Sequence, residues 1–325
     1  MPAADPTTAP EGLTLLPAPR WRTLQAEHRR RVDELLAAPS ARAARAEKHP
    51  VEDFLFSYYS FRPARLRRWT PGPGVALLLD DEAPDLRDHV VVTVPCPDRS
   101  GTGAARRALT LDVEAFLARR GAAVSHVLDL LTAVAARPAA LGCFGLHEWA
   151  MVYRLAPDDV RHPWPLRLGS AGTDAVVESH RIRCSHYDAY RFFTPQALSR
   201  NELRPTRGSV VENEQPGCLH VTMDLYKWAY KLAPATPSSL LLACFELARD
   251  VRELDMRASP YDLSGLGYSP VAIETAAGKA TYAEAQRGFA ERAEPLRHNL
   301  IELCRTLLDG RRHSPGWVGS ASSAR

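Results

Sequence analysis

Three stretches of this 325-residue chain gather histidine, carboxylate and aromatic side chains. In residues 144–154 (FGLHEWAMVYR), helical spacing puts Leu146, Trp149, Ala150 and Tyr153 on one face and His147, Met151 and Arg154 on another. A histidine and a glutamate in so apolar a stretch must be paired or hydrogen-bonded, because burying them alone is costly. His147 and Glu148 are therefore either a satisfied core pair or working groups. In residues 178–193 (ESHRIRCSHYDAYRFF), an extended start sets His180, Ile182 and Cys184 against Arg181, Arg183 and Ser185, and Cys184, His186 and Asp188 alternate along one face. In residues 214–231 (EQPGCLHVTMDLYKWAYK), Val221, Leu225 and Trp228 form an apolar stripe that continues to Leu232. His220, Asp224, Lys227 and Lys231 form a polar one. Such a pattern is commonly an amphipathic surface helix. The functional alternative points His220, Asp224 and Lys227 into a cleft.

Thiolate, imidazole and carboxylate all ligate first-row metals. His147, Glu148, His180, Cys184, His186 and His220 thus form a candidate ligand set for iron, manganese or zinc. The spacing matches no established zinc motif, and no Glu-x-x-His pair appears on the core helices. One reading is a metal-dependent enzyme of the non-haem iron type acting on a small molecule. A plainer reading is a non-catalytic binding protein with a satisfied polar core.

These groups need elements to hold them. Helices are expected over 20–48, from Pro50 to Tyr59, over 111–135, 141–154, 221–232, 240–257 (with Ser239 as N-cap) and 281–308. Residues 75–95 (with VALLLDD and HVVVTVP) read as strands, as does 175–182, and the two regions are expected to pair. Proline and glycine mark loops at 71–74, 99–107, 155–178, 195–216 and 259–272. The fold class is therefore mainly α with a small β element (α+β): a single compact helical domain over 20–309, between flexible tails at 1–19 and 310–325. Glu246, Asp250 and Glu253 read as solvated ion-pair partners, while Asp255 and Asp262 read as buried carboxylates.

Composition narrows the function classes. Hydrophobic residues make up 45% and charged residues 24%, which is ordinary for a globular protein. A net charge of +3 permits a polyanionic partner without requiring one. No run approaches a membrane span, and no secretory signal opens the chain. Six scattered cysteines then read as reduced thiols, mostly buried, in a cytoplasmic protein. The lack of a phosphate-binding glycine loop, a dinucleotide fingerprint, a nucleophile elbow or a zincin helix weighs against ATP-driven chemistry, nicotinamide redox and serine hydrolysis.

The strings HPVEDFLFSYYSFRPARLRRW, GLHEWAMVYR, IRCSHYDAYRFFTP, EQPGCLHVTMDLYKWAYKL and ELARDVRELDMRASPYDL resemble a family of actinobacterial proteins commonly labelled 3-methyladenine DNA glycosylase. The resemblance runs from about residue 49 to 297 and implies excision of an alkylated base from damaged nucleic acid. That reaction needs a carboxylate to stabilise an oxocarbenium-like state or activate water. Glu148, Asp188 and Asp224 are the candidates, with His147, His220 and Lys227 beside them. Trp149, Tyr153, Tyr187, Tyr190 and Trp228 offer π-faces to a cationic base, and Arg181 and Arg183 offer phosphate contacts. No helix-hairpin-helix signature accompanies these strings.

Overall fold

The structure, a computed structural model, describes residues 7–8, 12–80, 84, 86–95, 104–156 and 164–310. In chain order the elements are β1 (Thr7–Thr8), β2 (Thr14–Leu16), α1 (Ala18–Ala44), α2 (Phe54–Tyr58), α3 (Pro63–Leu66), β3 (Val75–Leu78), β4 (His89–Val94) and β5 (Arg106–Leu111). They continue with α4 (Val113–Ala135), α5 (Leu146–Ala150), α6 (Gly169–Ser179), α7 (Tyr187–Tyr190), α8 (Pro195–Leu198), α9 (Val210–Asn213), α10 (Leu219–Lys231), α11 (Ser238–Arg257) and α12 (Ala276–Gly310). Helix accounts for 57% of the chain and sheet for 8%, so the molecule is mainly α with a small β element.

The long helices follow their apolar stripes. On α4 the buried side chains are Phe116, Leu117, Val124, Val127, Leu130, Leu131 and Val134, and the Asp112 side chain caps the first turn by accepting from the Ala115 N–H. α10 packs against α11 and α12, and α12 packs against α4. Their shared core contains Leu225, Tyr226, Phe245, Val251, Leu300 and Leu307. The start of α1 lies on the sheet, where Trp21 is buried with Leu77, Leu79 and Leu109 and its indole N–H donates to the Leu78 carbonyl at 3.1 Å, while Val32 and Leu36 join the helical core.

The sheet runs β1-β4-β5-β3-β2. β4 and β3 each pair antiparallel with β5, while β2 pairs parallel with β3 and β1 parallel with β4. Two expectations change here. Residues 175–182 do not join the sheet, because 169–179 form α6, on which Thr173, Val176 and Val177 turn inward at helical spacing. Burial at that spacing outweighs the β-branched propensity of the two valines. The N-terminal segment is not simply a tail either, since Leu15 and Leu16 sit in register with Ala76 and Leu77.

Other boundaries move as well. The helix expected over 141–154 shrinks to α5, because Phe144 and Gly145 adopt left-handed backbone angles of φ 47° and φ 70° immediately before it. The second expected helix shortens to α2, and the last begins at Ala276 rather than Thr281. The loop at 195–216 contains the short helices α8 and α9. Residues 311–325, 96–103 and 157–163 lie outside the described residues, so the C-terminal tail and Cys96 are not placed.

Candidate metal centre at a thiol-lined cavity

α5, α10 and α11 bring three ionisable side chains to one buried point. His147 comes from the first turn of α5, His220 from the first turn of α10 and Asp255 from the last turns of α11. All three are buried, and one ligand atom from each lies within 4.8 Å of the others. The His147 and His220 rings meet edge to face at 4.4 Å between centroids. His147 Nε2 lies 3.0 Å from Asp255 Oδ1, yet neither atom has a hydrogen-bond partner of acceptable alignment. Two atoms this close that do not point at each other suit a common third partner. Ligand atoms held about 2.0–2.2 Å from a first-row ion sit about 3 Å apart when adjacent.

The surroundings set the charge of this set. Arg252 Nη1 bonds Asp255 Oδ2 at 3.0 Å and Glu148 Oε1 at 3.1 Å, and its guanidinium lies over the Phe54 ring. Burial opposes charge on Asp255, but His147, then His220 and Arg252, hold its carboxyl well below the usual range. Burial likewise opposes charge on His147, but Asp255 and Cys143 pull its ring well above the ordinary imidazole value. Burial and then the His147 charge push His220 well below that value, so His220 presents a neutral ring. With His147 charged and His220 neutral, His147 and Arg252 balance Glu148 and Asp255; an ion that displaces the His147 proton would take over that balancing charge.

A second set lies alongside and behaves differently. His186, Glu214 and Asp224 also bring ligand atoms within 4.8 Å of one another, and the His186 ring stacks on His220 at 5.1 Å. Here every group has a partner. His186 caps α7, its Nδ1 accepting from the Ala189 N–H, which leaves Nε2 to donate to Asp224 Oδ2 at 3.2 Å. Asp224 Oδ1 accepts from the Tyr59 hydroxyl at 2.8 Å, and the Lys227 ammonium bonds Oδ2. Burial raises the Glu214 carboxyl to about 7, while Lys227 and His186 hold Asp224 very low despite its burial. This is a charge-balanced core network.

The first set opens on a cavity of about 530 Å³ lined by Cys143, His147, Cys184, Cys218 and His220, with Arg137, Arg181 and Arg183 among its other walls. Gln215 holds two of the wall segments together. Its side-chain carbonyl accepts from the Ala140 and Gly217 N–H groups at 2.8 and 2.7 Å, and its amide donates to the Ala140 carbonyl. Gly217 is required there, since a Cβ would sit 2.7 Å from the Ala140 oxygen.

The residues singled out in the sequence thus divide. His147, His220 and Cys184 meet at the cavity, and His186, Asp224 and Lys227 form the neighbouring network. Glu148 lies behind, paired with Arg252. His180 ends α6, with Nδ1 on the Val176 carbonyl, and is part of neither set. Asp188 is half-buried and faces Arg191 and Lys227.

The aromatic residues are mostly structural in their contacts. Trp149 is fully buried with its indole N–H on the Ala258 carbonyl, and Tyr153 is buried with its hydroxyl donating to Glu178. Lys227 and Lys231 cover the Trp228 ring, while Tyr187 and Tyr190 are half-buried on α7. Arg181 and Arg183 share Glu202 at the cavity wall.

Sequence reasoning left out Cys143, Cys218, Glu214, Arg252 and Asp255 as site residues, although Asp255 was expected to be buried, and it is. A signal for the cysteines was present: Cys143 precedes His147 by one helical turn, and Cys184 and Cys218 each stand two residues before a histidine of the same region. Compared with known proteins, the chain matches no family model, no curated protein and no solved structure.

Proposed function

We propose that this protein is a metal-dependent enzyme in which His147, His220 and Asp255 hold one first-row divalent ion at the wall of the cavity, with a small molecule as substrate. Two imidazoles and one carboxylate with open positions are the donor set of non-haem iron oxygenases. The observation that carries the reading is the misaligned His147 Nε2 and Asp255 Oδ1 pair, buried 3.0 Å apart beside a neutral His220. The ion would supply Lewis acidity or redox chemistry, while the chain orients its ligands and limits access through the cavity. Arg252 steadies Asp255 from behind, and Cys143 Sγ, 3.9 Å from His147 Nδ1, sits where it fixes the ring orientation. The free thiols suit a cytoplasmic setting, which belongs to the same proposal.

Excision of an alkylated base, implied by the family resemblance, would need aromatic faces open to a flipped base. Trp149 and Tyr153 are enclosed and Trp228 is covered, which leaves Tyr187 and Tyr190. The small-molecule reading is favoured for that reason. The test is metal analysis of full-length protein prepared without a histidine tag. About one equivalent of iron, manganese or zinc is expected, falling at least tenfold in His147→Ala and His220→Ala. Equal metal content in wild type and both variants would sink the proposal. Release of free base from methylated DNA, lost in Glu148→Gln and Asp224→Asn, would replace it with the excision reading.

A further inference from the structure

The cavity walls carry cations that no carboxylate of the chain fully answers. Arg137, Arg181 and Arg183 line them, against Glu202 and the exposed Glu212. Glu202 is shared unequally. Arg181 grips its Oε1 with Nε at 2.6 Å and Nη2 at 2.5 Å, whereas Arg183 Nε stands 3.9 Å from Oε2, beyond hydrogen-bond distance. Arg137, just past the end of α4, is half-buried and donates from Nη1 to the Glu214 main-chain carbonyl at 2.8 Å. A carbonyl satisfies one N–H but neutralises no charge. Among the described residues no carboxylate hydrogen-bonds Arg137 or Arg183. The backbone that bears Arg183 is fixed. Ile182 and Cys184 turn inward on either side of it, and Ile182 bridges Asn201. The Asn201 side chain accepts from the Cys184 N–H at 2.7 Å and donates to the Cys184 carbonyl at 2.9 Å. Alternation along this extended segment sets Arg181 and Arg183 outward at the cavity rim.

We infer that the substrate of this cavity is a small organic carboxylate, its carboxylate held by Arg137 and Arg183 and the rest of the molecule extending toward His147 and His220. This names the substrate class of the proposed metal centre and rests on that reading for the chemistry, though not for the binding. The guanidinium fork matches a carboxylate's two oxygens, and charge-assisted bonds of this kind are stronger than neutral ones. Three guanidinium groups against two carboxylates leave the lining one positive charge in excess, which one carboxylate balances. A phosphate monoester would bring up to two negative charges to the same wall. The volume of about 530 Å³ is that of a small-molecule site. Bound in this way, the substrate is oriented by its charged end, with its other end turned to the histidine side of the cavity.

The test reads Cys143, which lines the cavity and is half-buried, in the untagged full-length chain after chelation. Iodoacetate and iodoacetamide are close in size and differ in charge. With either, the Cys143 sulfur displaces iodide and the thiol proton passes to solvent. The ratio of the two alkylation rates, acid over amide, is followed on the Cys143 peptide by mass spectrometry. Arg137→Gln and Arg183→Gln are each expected to lower that ratio about threefold, and the double variant about tenfold. Arg305→Gln removes the same charge from an exposed pair on α12 and should leave the ratio unchanged. Wild-type protein gives a second readout that no variant's folding can disturb: benzoate should slow iodoacetamide at Cys143, and benzamide should not. An unchanged ratio in the double variant, or equal protection by benzoate and benzamide, would overturn the inference. Stronger protection by inorganic phosphate or by a short single-stranded oligonucleotide than by benzoate would overturn it too, by assigning the wall to phosphate. Because the protein is chelated, the two readings fail separately. Metal bound without a preference for the acid sinks the carboxylate and keeps the ion, whereas the preference in a chain that binds no metal does the reverse.

Discussion

Arg252 is the least replaceable side chain near the centre. It is buried between Glu148 and Asp255, and its cation bonds both carboxylates, Asp255 being shared with His147. Removing one member of a buried ionic group leaves uncompensated charge, at a cost of roughly 3–5 kcal/mol. Arg252→Met keeps much of the packing over Phe54 and removes the charge, so its urea midpoint should drop by an amount corresponding to that range. Added metal ion should recover part of the loss, because a cation at His147 and Asp255 replaces some of the missing charge. A variant as stable as wild type would count against Arg252 as the charge that compensates this buried pair. This arrangement was only half legible in the sequence. Asp255 bordered an apolar stripe and so read as buried, but Arg252 sits among other arginines and acids of α11 that do form exposed pairs, such as Arg257 with Glu253 and Asp250 with Arg292. Composition along one helix does not distinguish the arginine that turns inward.

At the scale of elements, the site depends on how two wall segments are joined. Gly217 lies against the Ala140 backbone, and Gln215 bonds both. In Gly217→Ala the new methyl would press on main-chain atoms that cannot rotate away. Overpacking of this kind costs typically 1–3 kcal/mol, and it would separate the segment bearing Cys143 from the one bearing Cys218. Lower metal content together with a lower urea midpoint is the expected result. Gly265→Ala, where nothing lies within 4 Å of the added methyl, serves as the neutral comparison. Equal behaviour of the two variants would count against the clamp. The long helices that carry His220 and Asp255 were readable, because α4, α10 and α11 each repeat apolar residues at helical spacing over three or more turns. α6 was not, since Ala175, Val176 and Val177 have strand-like chemistry and the packing that makes them helical comes from elsewhere in the fold. The break before α5 was also hidden. Gly145 supplies one left-handed residue cheaply, but Phe144 at φ 47° is held there by tertiary contacts, including its edge-to-face packing on Tyr282 at 6.2 Å.

For the whole molecule, the helical bundle is what assembles the proposed ligand set. His147, His220 and Asp255 are contributed by α5, α10 and α11, so the complete set exists only when those helices are docked. An ion that binds the folded chain and not the unfolded one stabilises it by roughly 2.7 kcal/mol at a hundred times its dissociation constant. For domains of about this size each kcal/mol moves the melting temperature by roughly 2–4 °C. Chelated protein should therefore melt several degrees lower than protein supplied with excess ion, with a midpoint that rises with ion concentration. The His147→Ala, His220→Ala double variant should melt at one temperature in both conditions. Convergence of the three segments at one cavity was not readable from the chain, because sequence spacing of 73 residues between His147 and His220 carries no information about distance in space. No helix among the described residues is long and apolar enough to cross a membrane, in keeping with the absence of such a run in the sequence.

The neighbouring network of His186, Glu214 and Asp224 has the ligand types of a metal site, and Lys227 places its ammonium on the Asp224 carboxylate. Lys227 is in effect a tethered counter-ion, one that neither dissociates nor exchanges and that carries a single charge where a divalent ion would carry two. Its side chain is what keeps the two adjacent clusters chemically distinct. Lys227→Met would vacate that position while keeping the stem of similar length over Trp228. Equilibrium dialysis against zinc should then find one more equivalent bound than in wild type. Zinc binding unchanged by the substitution would mean that Lys227 is not what keeps an ion from His186, Glu214 and Asp224.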